Sequence, residues 1–388
     1  MSAPVAVLLA HYSGYLLQFR GHLIREMVRR GYRTVVAVPG ASEQVCAGAA
    51  ALGAECREIE LARTGLNPIS DFAYAMRVRV LMRELRPTLV IATGIKPILF
   101  GMPEAARSGS RFRVALFAGL GSMLRPESGL HRVLSIAVRP LVQRAIRSST
   151  HVVTQNEDDT RALQARFGSV LNRSPVTTEG SGVDLEYYRT APMTGHKQVL
   201  MIARVVPEKG VAEYLEAALA VREADPSVTF VLAGFLESST RGYSQAWLDE
   251  QCRMSGVRYV GHVDDVRPLL SQSDVLVLPS YAEGRPRSIQ EALATGRPVV
   301  TTDAPGCRDA IVDGVHGRVV PARDVPALAD AIVDVLRHAS EPDVPSLCRQ
   351  YAEQRYSAAT IATRLLDTVV ETSSDSGASP SGTERARS

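Results

Sequence analysis

The sequence predicts an α/β protein built from two Rossmann-like domains facing each other across a cleft, on three observations. Short apolar runs alternate with longer amphipathic ones over most of the chain, the rhythm of βα units around parallel sheets. That rhythm lapses once, over residues 174–197, into Thr, Gly, Pro and Ser, so a linker separates two such series. The length of 388 residues suits two domains at roughly 100–200 residues each. With 45% hydrophobic and 22% charged residues the chain is neither collagenous nor disordered nor a disulfide scaffold.

The first series places strands at 5–10, 34–38, 89–93, 113–117 and 152–154, with helices at 18–30, 69–85 and 129–147. The apolar run 4–10 is too short for the core of a secretory signal, lacks a basic flank, and passes into His11-Tyr12-Ser13-Gly14 without a cleavage site. It therefore reads as the first strand. The second series places strands at 199–202, 229–232, 257–260, 275–278, 298–301 and 318–320, with helices at 211–224, 288–294 and 325–337. The expected domains are 1–190 and 191–372, with ligands at the carboxyl ends of the strands. Residues 373–388, rich in Ser, Gly and Thr, are expected to be disordered. No window of about 20 residues is apolar and free of charge, so no transmembrane helix is expected.

Charge is divided unevenly. Residues 1–190 carry 24 Lys+Arg against 15 Asp+Glu, and the remainder 20 against 26, so a basic half (+9) is joined to an acidic one (−6). A basic half points to an anionic partner or to a solvated basic face. Nucleic acid is not expected, because no helix-turn-helix, RRM or zinc module is present. Helix 129–147 spaces Leu130, Val133, Leu134, Ala137 and Leu141 along one face, with Arg132, Arg139, Arg144 and Arg147 nearby and Pro140 inside. It suits either core packing or an anionic membrane surface. The five cysteines (46, 56, 252, 307, 348) are odd in number and contain no C-x-x-C pair, which favours a reducing, cytoplasmic setting over disulfides or zinc. No His/Cys/carboxylate cluster has ligand spacing, so no metal is expected.

Three segments carry chemistry. After the first strand, Ser13-Gly14 makes a turn where a phosphate could approach the backbone, but it is not the G-x-G-x-x-G of a nicotinamide dinucleotide site. After the first strand of the second series, Arg204-Val205-Val206-Pro207-Glu208-Lys209-Gly210 puts two cations at a strand's carboxyl end, where they could neutralise a departing diphosphate. Lys209 is one of only three lysines, with Lys96 and Lys197, in a chain that otherwise uses arginine. The third segment, Glu283-Gly284-Arg285-Pro286-Arg287-Ser288-Ile289-Gln290-Glu291, follows a buried strand and opens a helix. Its two glutamates suit two hydroxyl-bearing groups of one extended ligand, and the amides near Ser288 offer an anion site. Lys96, between a strand and Pro97, could meet an acceptor phosphate. His11, His22 and His131 read as structural or surface residues.

These motifs, with Phe19-Arg20-Gly21-His22, Gly119-Leu120-Gly121, Gln155-Asn156-Glu157 and Gly180-Ser181-Gly182, resemble a retaining glycosyltransferase of family 4 with the GT-B fold. Within it the chain is similar to the CapM-like group, which acts on lipid-linked oligosaccharides. The resemblance implies Glu283 on the donor sugar, Glu291 on the nucleotide ribose, Arg204 and Lys209 on the diphosphate, and Gly14 in the loop that closes on it. It implies Gly261, His262 and Val263 near the base, Gly234 in a loop by the same ligand, and Gly284, Pro286 and Ser288 among the residues that bind the nucleotide-sugar. Lys96, Gly119 and Gly121 would face the acceptor. Many members carry a histidine where this chain reads Ala118-Gly119-Leu120-Gly121, so no side-chain base is expected there.

The implied function is transfer of a hexose or N-acetylhexosamine from a nucleotide-sugar, UDP-activated by analogy, to a polyprenyl-diphosphate-linked or other saccharide acceptor, in surface polysaccharide assembly at the inner face of the plasma membrane. The nucleotide-sugar is co-substrate, and no cofactor is expected. A UDP-N-acetylglucosamine 2-epimerase and a non-catalytic sugar-nucleotide-binding subunit are the alternatives.

Overall fold

The structure is a computed structural model that describes residues 3–62, 67–120, 129–237 and 242–371, and over 129–135 the helical backbone. The tail 373–388 and Gly121 lie outside the described residues. The first half runs β1 (Val5–Ala10), α1 (Leu16–Arg29), β2 (Arg33–Val38), α2 (Glu43–Ala51), β3 (Glu55–Glu58), α3 (Pro68–Leu85), β4 (Leu89–Thr93), α4 (Met102–Arg107), β5 (Phe112–Leu116), α5 (Gly129–Ser148), β6 (His151–Thr154), α6 (Glu157–Phe167) and β7 (Val176–Thr177). The second runs β8 (Gln198–Ile202), α7 (Val211–Ala224), β9 (Thr229–Ala233), α8 (Gln245–Ser255), β10 (Arg258–Tyr259), α9 (Arg267–Gln272), β11 (Val275–Leu278), α10 (Arg287–Ala294), β12 (Val299–Thr302), β13 (Gly317–Val320), α11 (Val325–His338), α12 (Asp343–Arg355) and α13 (Ala358–Glu371).

Both sheets are parallel and doubly wound. The first orders its strands β3-β2-β1-β4-β5-β6-β7 and the second β10-β9-β8-β11-β12-β13. In each sheet the order reverses beside the first strand of the series, and that is where an open sheet forms its ligand crevice. Continuous apolar runs make the central strands because both faces are covered. Leu8 of β1, for example, pairs in register with Val36 and Ile91 and is fully buried.

Two expectations are revised. The edge strands β3 and β7 went unseen, since Glu55–Glu58 is polar and Val176–Thr177 is two residues long. The second domain does not keep the chain to residue 372. After α12 the backbone crosses back, and α13 packs Ala362, Leu365, Leu366 and Val369 into the first sheet's core beside Leu23, Ile24 and Met27 of α1. At ~1.5–3 kcal/mol for each fully buried aliphatic side chain, this helix belongs energetically to the first domain. In α5 the buried face is Val138, Val142, Ala145 and Ile146, whereas Ala137 and Ile136 are exposed. Of the predicted stripe Ala137 is exposed and Leu141 packs partly buried on the core, and the side chains of Leu130, Val133 and Leu134 lie outside the described residues.

Candidate active site

The carboxyl ends of β8, β9, β10 and β11 bring the predicted residues of the second half together. After β8 the chain makes one turn of 3-10 helix at Pro207–Lys209 and leaves it through Gly210 at φ 72°. A Cβ there would lie 2.1 Å from the carbonyl of Pro279, so only glycine lets the lysine loop lie against the glutamate loop. The loops are also joined by the Tyr281 amide, which donates to the Glu208 carbonyl at 3.0 Å. Lys209 consequently forms an ion pair with Glu283, and Ser280 Oγ donates to the same carboxylate oxygen at 2.9 Å. Both partners are largely buried. A carboxylate's oxygens accept hydrogen bonds from hydroxyl groups, so this pair presents an acceptor at the strand ends.

Arg204 stands nearer to solvent and pairs with Glu237, both half-exposed. Such exposed pairs contribute little, so a diphosphate can take the guanidinium over at small cost. Gly234 packs on the backbone that precedes Arg204, and its amide donates to the Gly261 carbonyl at 2.8 Å. The Arg204, Gly234 and Gly261 loops thus form one rim. His262 lies on that rim 3.2 Å from Asp264, and Val263 is half-buried beside it.

Pro286 occupies the N-cap position of α10 without a capping bond, and Ser288 stands in its first turn. One turn further in, Glu291 is buried, accepting from Tyr188 Oη at 2.8 Å and from Arg287 Nε at 2.8 Å. Burial, and next the Glu291 carboxylate, push the Tyr188 phenol well above its ordinary range, so this hydroxyl remains a donor.

Across the cleft, the first domain meets the glutamate loop with backbone and amide groups. Gly284 lies against the carbonyl of Ala118, where a Cβ would sit 2.0 Å away, and Gly119 at φ 140° faces Gly284. Asn156, fully buried, donates from Nδ2 to the carbonyls of Glu283 (3.1 Å) and Gly284 (2.6 Å) while its Oδ1 caps α6. Gly14 keeps the first loop's backbone close beneath the Tyr12 ring, where a Cβ would lie 2.5 Å from the phenolic oxygen.

The structure gives Lys96 a different role from the expected acceptor contact. Its ammonium is buried, donating to Asp71 Oδ1 at 2.8 Å and to the Ala62 carbonyl at 2.7 Å, so its charge is already neutralised inside the first domain. Reasoning from sequence also assigned no role to Asn156, Tyr188, or Arg285, which is buried between Glu179 (3.0 Å) and Asp309 (3.5 Å) and ties the linker to the glutamate loop. For Asn156 a signal existed: Asn-Glu-Asp-Asp is a helix N-cap pattern, and a cap placed at a strand end faces the cleft.

Known proteins share this architecture. The model of Glycosyltransferase Family 4 matches residues 21–187, and that of Glycosyl transferases group 1 matches 196–338. The N,N'-diacetylbacillosaminyl-diphospho-undecaprenol alpha-1,3-N-acetylgalactosaminyltransferase of Campylobacter jejuni is 26% identical over 80% of this chain and 83% of its own. The UDP-Gal:alpha-D-GlcNAc-diphosphoundecaprenol alpha-1,3-galactosyltransferase of Escherichia coli is 25% identical over 65% of each chain. The crystal structure of Anabaena HepE in complex with UDP superposes with a TM-score of 0.73 at 20% identity, over 95% of this chain and all of that one. The two family matches adjoin across the linker, the first beginning after β1 and the Ser13-Gly14 loop, and the chain belongs to the glycosyltransferases, with the GT-B fold, its first half matching family 4 and its second group 1.

Proposed function

We propose that the protein moves a hexose or N-acetylhexosamine from a UDP-sugar to a saccharide carried on a polyprenyl diphosphate, with retention at the anomeric carbon. The observation that carries this reading is the Lys209–Glu283 pair at the strand ends, with Arg204 on the same rim and Glu291 one helix turn beyond. In it Glu283 accepts from the donor sugar's hydroxyls and Glu291 from the ribose. Lys209 and Arg204 neutralise the diphosphate as its bond to the sugar breaks. No carboxylate needs to attack the sugar. The leaving diphosphate takes the acceptor's proton on the face it departs from, and the amide and glycine surface across the cleft holds the acceptor close. The names of the two bacterial relatives support the lipid-linked acceptor, and the UDP in the Anabaena structure supports the base. With two cations on the diphosphate, the reaction is proposed to run without a metal, so activity should persist in EDTA.

The second part of the reading is contact with an anionic membrane at its cytoplasmic side. Among the described residues no helix is long and apolar enough to cross a bilayer. Ile69, Phe72 and Val80 on α3 and Ile136 on α5 are nevertheless exposed, on helices that flank α4 in one layer, with Arg83, Arg139 and Arg144 exposed among them. Apolar side chains amid arginines suit an anionic interface. Vesicles containing phosphatidylglycerol should sediment the protein, and Phe72→Asp should release it without loss of donor hydrolysis.

The transfer reading is tested by incubating purified protein with UDP-, GDP- and ADP-sugars, with and without a membrane lipid extract, and measuring released nucleotide. Release that rises with extract supports it. Nucleotide binding without release from any donor returns the weight to a non-catalytic subunit.

A further inference from the structure

Three arginines among the described residues are at least nine-tenths buried, and they differ in what holds their charge. Arg285 lies between the carboxylates of Glu179 and Asp309. Arg297 donates to the carbonyls of Leu270, Pro192 and Ser271 at 2.7–3.2 Å. Arg20, 8% exposed, makes one hydrogen bond, from Nη2 to Thr93 Oγ1 at 3.1 Å, and has no carboxylate partner among the described residues. The charge that acts on it is Arg287, of the same sign and itself paired with Glu291. Burial, and next Arg287, pull the Arg20 guanidinium down to about 10. A buried cation beside another cation destabilises the fold that holds it, and an anion offsets that cost.

The position is informative. Thr93 ends β4, next to the end of β1 in register, so Arg20 lies at the carboxyl edge of the first sheet. Arg287 approaches from the second domain at the start of α10. It donates to the Gln18 carbonyl at 2.6 Å and lies over the Phe19 ring at 4.8 Å. One guanidinium from each domain therefore converges where α10 meets α1, each with donors to spare for a tetrahedral oxyanion.

We propose that Arg20, closed over by Arg287, is the first domain's binding site for a phosphoryl group of a diphosphate substrate. The proposal rests on the transfer reading, in which donor and acceptor both carry a diphosphate. Arg204 and Lys209 serve the second domain, and Arg20 supplies the charge that the buried Lys96 does not.

The test uses the full chain, Arg20→Met and Arg20→Lys, with UDP and farnesyl diphosphate as probes in calorimetric titration and thermal melting. Arg20→Met should lose roughly 10- to 100-fold in affinity for one of the diphosphates, the effect of removing a charged hydrogen-bonding partner. Its melting temperature without ligand should stay level or rise, because an uncompensated charge is gone. Arg20→Lys should recover part of the affinity. Loss confined to farnesyl diphosphate assigns the site to the acceptor, and loss confined to UDP assigns it to the donor. Wild-type affinity for both probes in Arg20→Met, no binding of either by wild type, or a ligand-free melting temperature several degrees lower overturns the proposal. The nucleotide-release assay on wild type separates the two failures. Turnover with an indifferent Arg20 leaves the transfer reading standing, and a diphosphate-binding Arg20 without turnover leaves only the site.

Discussion

The two halves share a strand order and differ in how they arm the cleft. In the second half the charges facing the cleft are held in pairs, Lys209 with Glu283, Arg204 with Glu237 and Arg287 with Glu291. In the first half the groups facing Glu283 and Gly284 are the Ala118 carbonyl, Gly119 and the amide of Asn156. Paired charges keep each group aimed, and can be exchanged for ligand groups of the same sign. Backbone and amide contacts shape the space without competing for the ligand's charge. Around Glu283 and Gly284, then, the second half supplies charge and the first supplies placement, with the proposed Arg20 site the first half's one charged contribution.

That division is exposed to four substitutions. Lys209→Ala should reduce kcat by about 10²–10³, the usual effect of deleting a group that stabilises developing charge, with UDP still bound; a near-normal rate would place the diphosphate elsewhere. Gly284→Ala adds a Cβ 2.0 Å from the Ala118 carbonyl and must part the domains there. A displacement of about 1 Å costs up to roughly 10²-fold, so transfer should fall while UDP affinity, read by titration, holds within a few fold. Asn156→Ala removes a helix cap of about 1 kcal/mol along with two bonds across the cleft, and melting should fall by about 2–4 °C or slightly more. The smallest effect lies far from the chemistry, on α1. Glu26 is bound by Arg29 and Arg30 and its carboxyl is held down to about 2, first by the Arg29 bond. A depressed carboxylate adds stability above its unfolded value of about 4.3 and loses it as pH falls toward the folded one. The melting gap between wild type and Glu26→Gln should therefore be full at pH 7 and close between pH 4 and 2.

The same contrast explains what could be read from the sequence. The central strands were legible because burial on both faces leaves an uninterrupted apolar run such as Val5–Ala10. The glutamate loop was legible because its chemistry is local: two carboxylates, a glycine and a proline within nine residues. The placing half was not, since its determinants are contacts between distant segments. Lys96 attracted attention as a rare lysine, but the carboxylate that neutralises it is 25 positions earlier, on α3. Asn156 acts on a loop 128 positions away. In α5 the apolar residues are spread over more than one face, so periodicity alone did not single out Val138 and Val142 as buried.

The return of α13 to the first sheet means that the chain passes between the domains twice, and the two passages are hydrogen-bonded to each other. The Val183 amide donates to the Tyr356 carbonyl at 2.7 Å, and the Ala358 amide to the Val183 carbonyl at 3.1 Å. A single passage would leave the domains free to swivel about a tether. Two passages stitched side by side resist torsion and leave bending as the soft motion, so every opening of the cleft should close again on the same register between Asn156 and the glutamate loop.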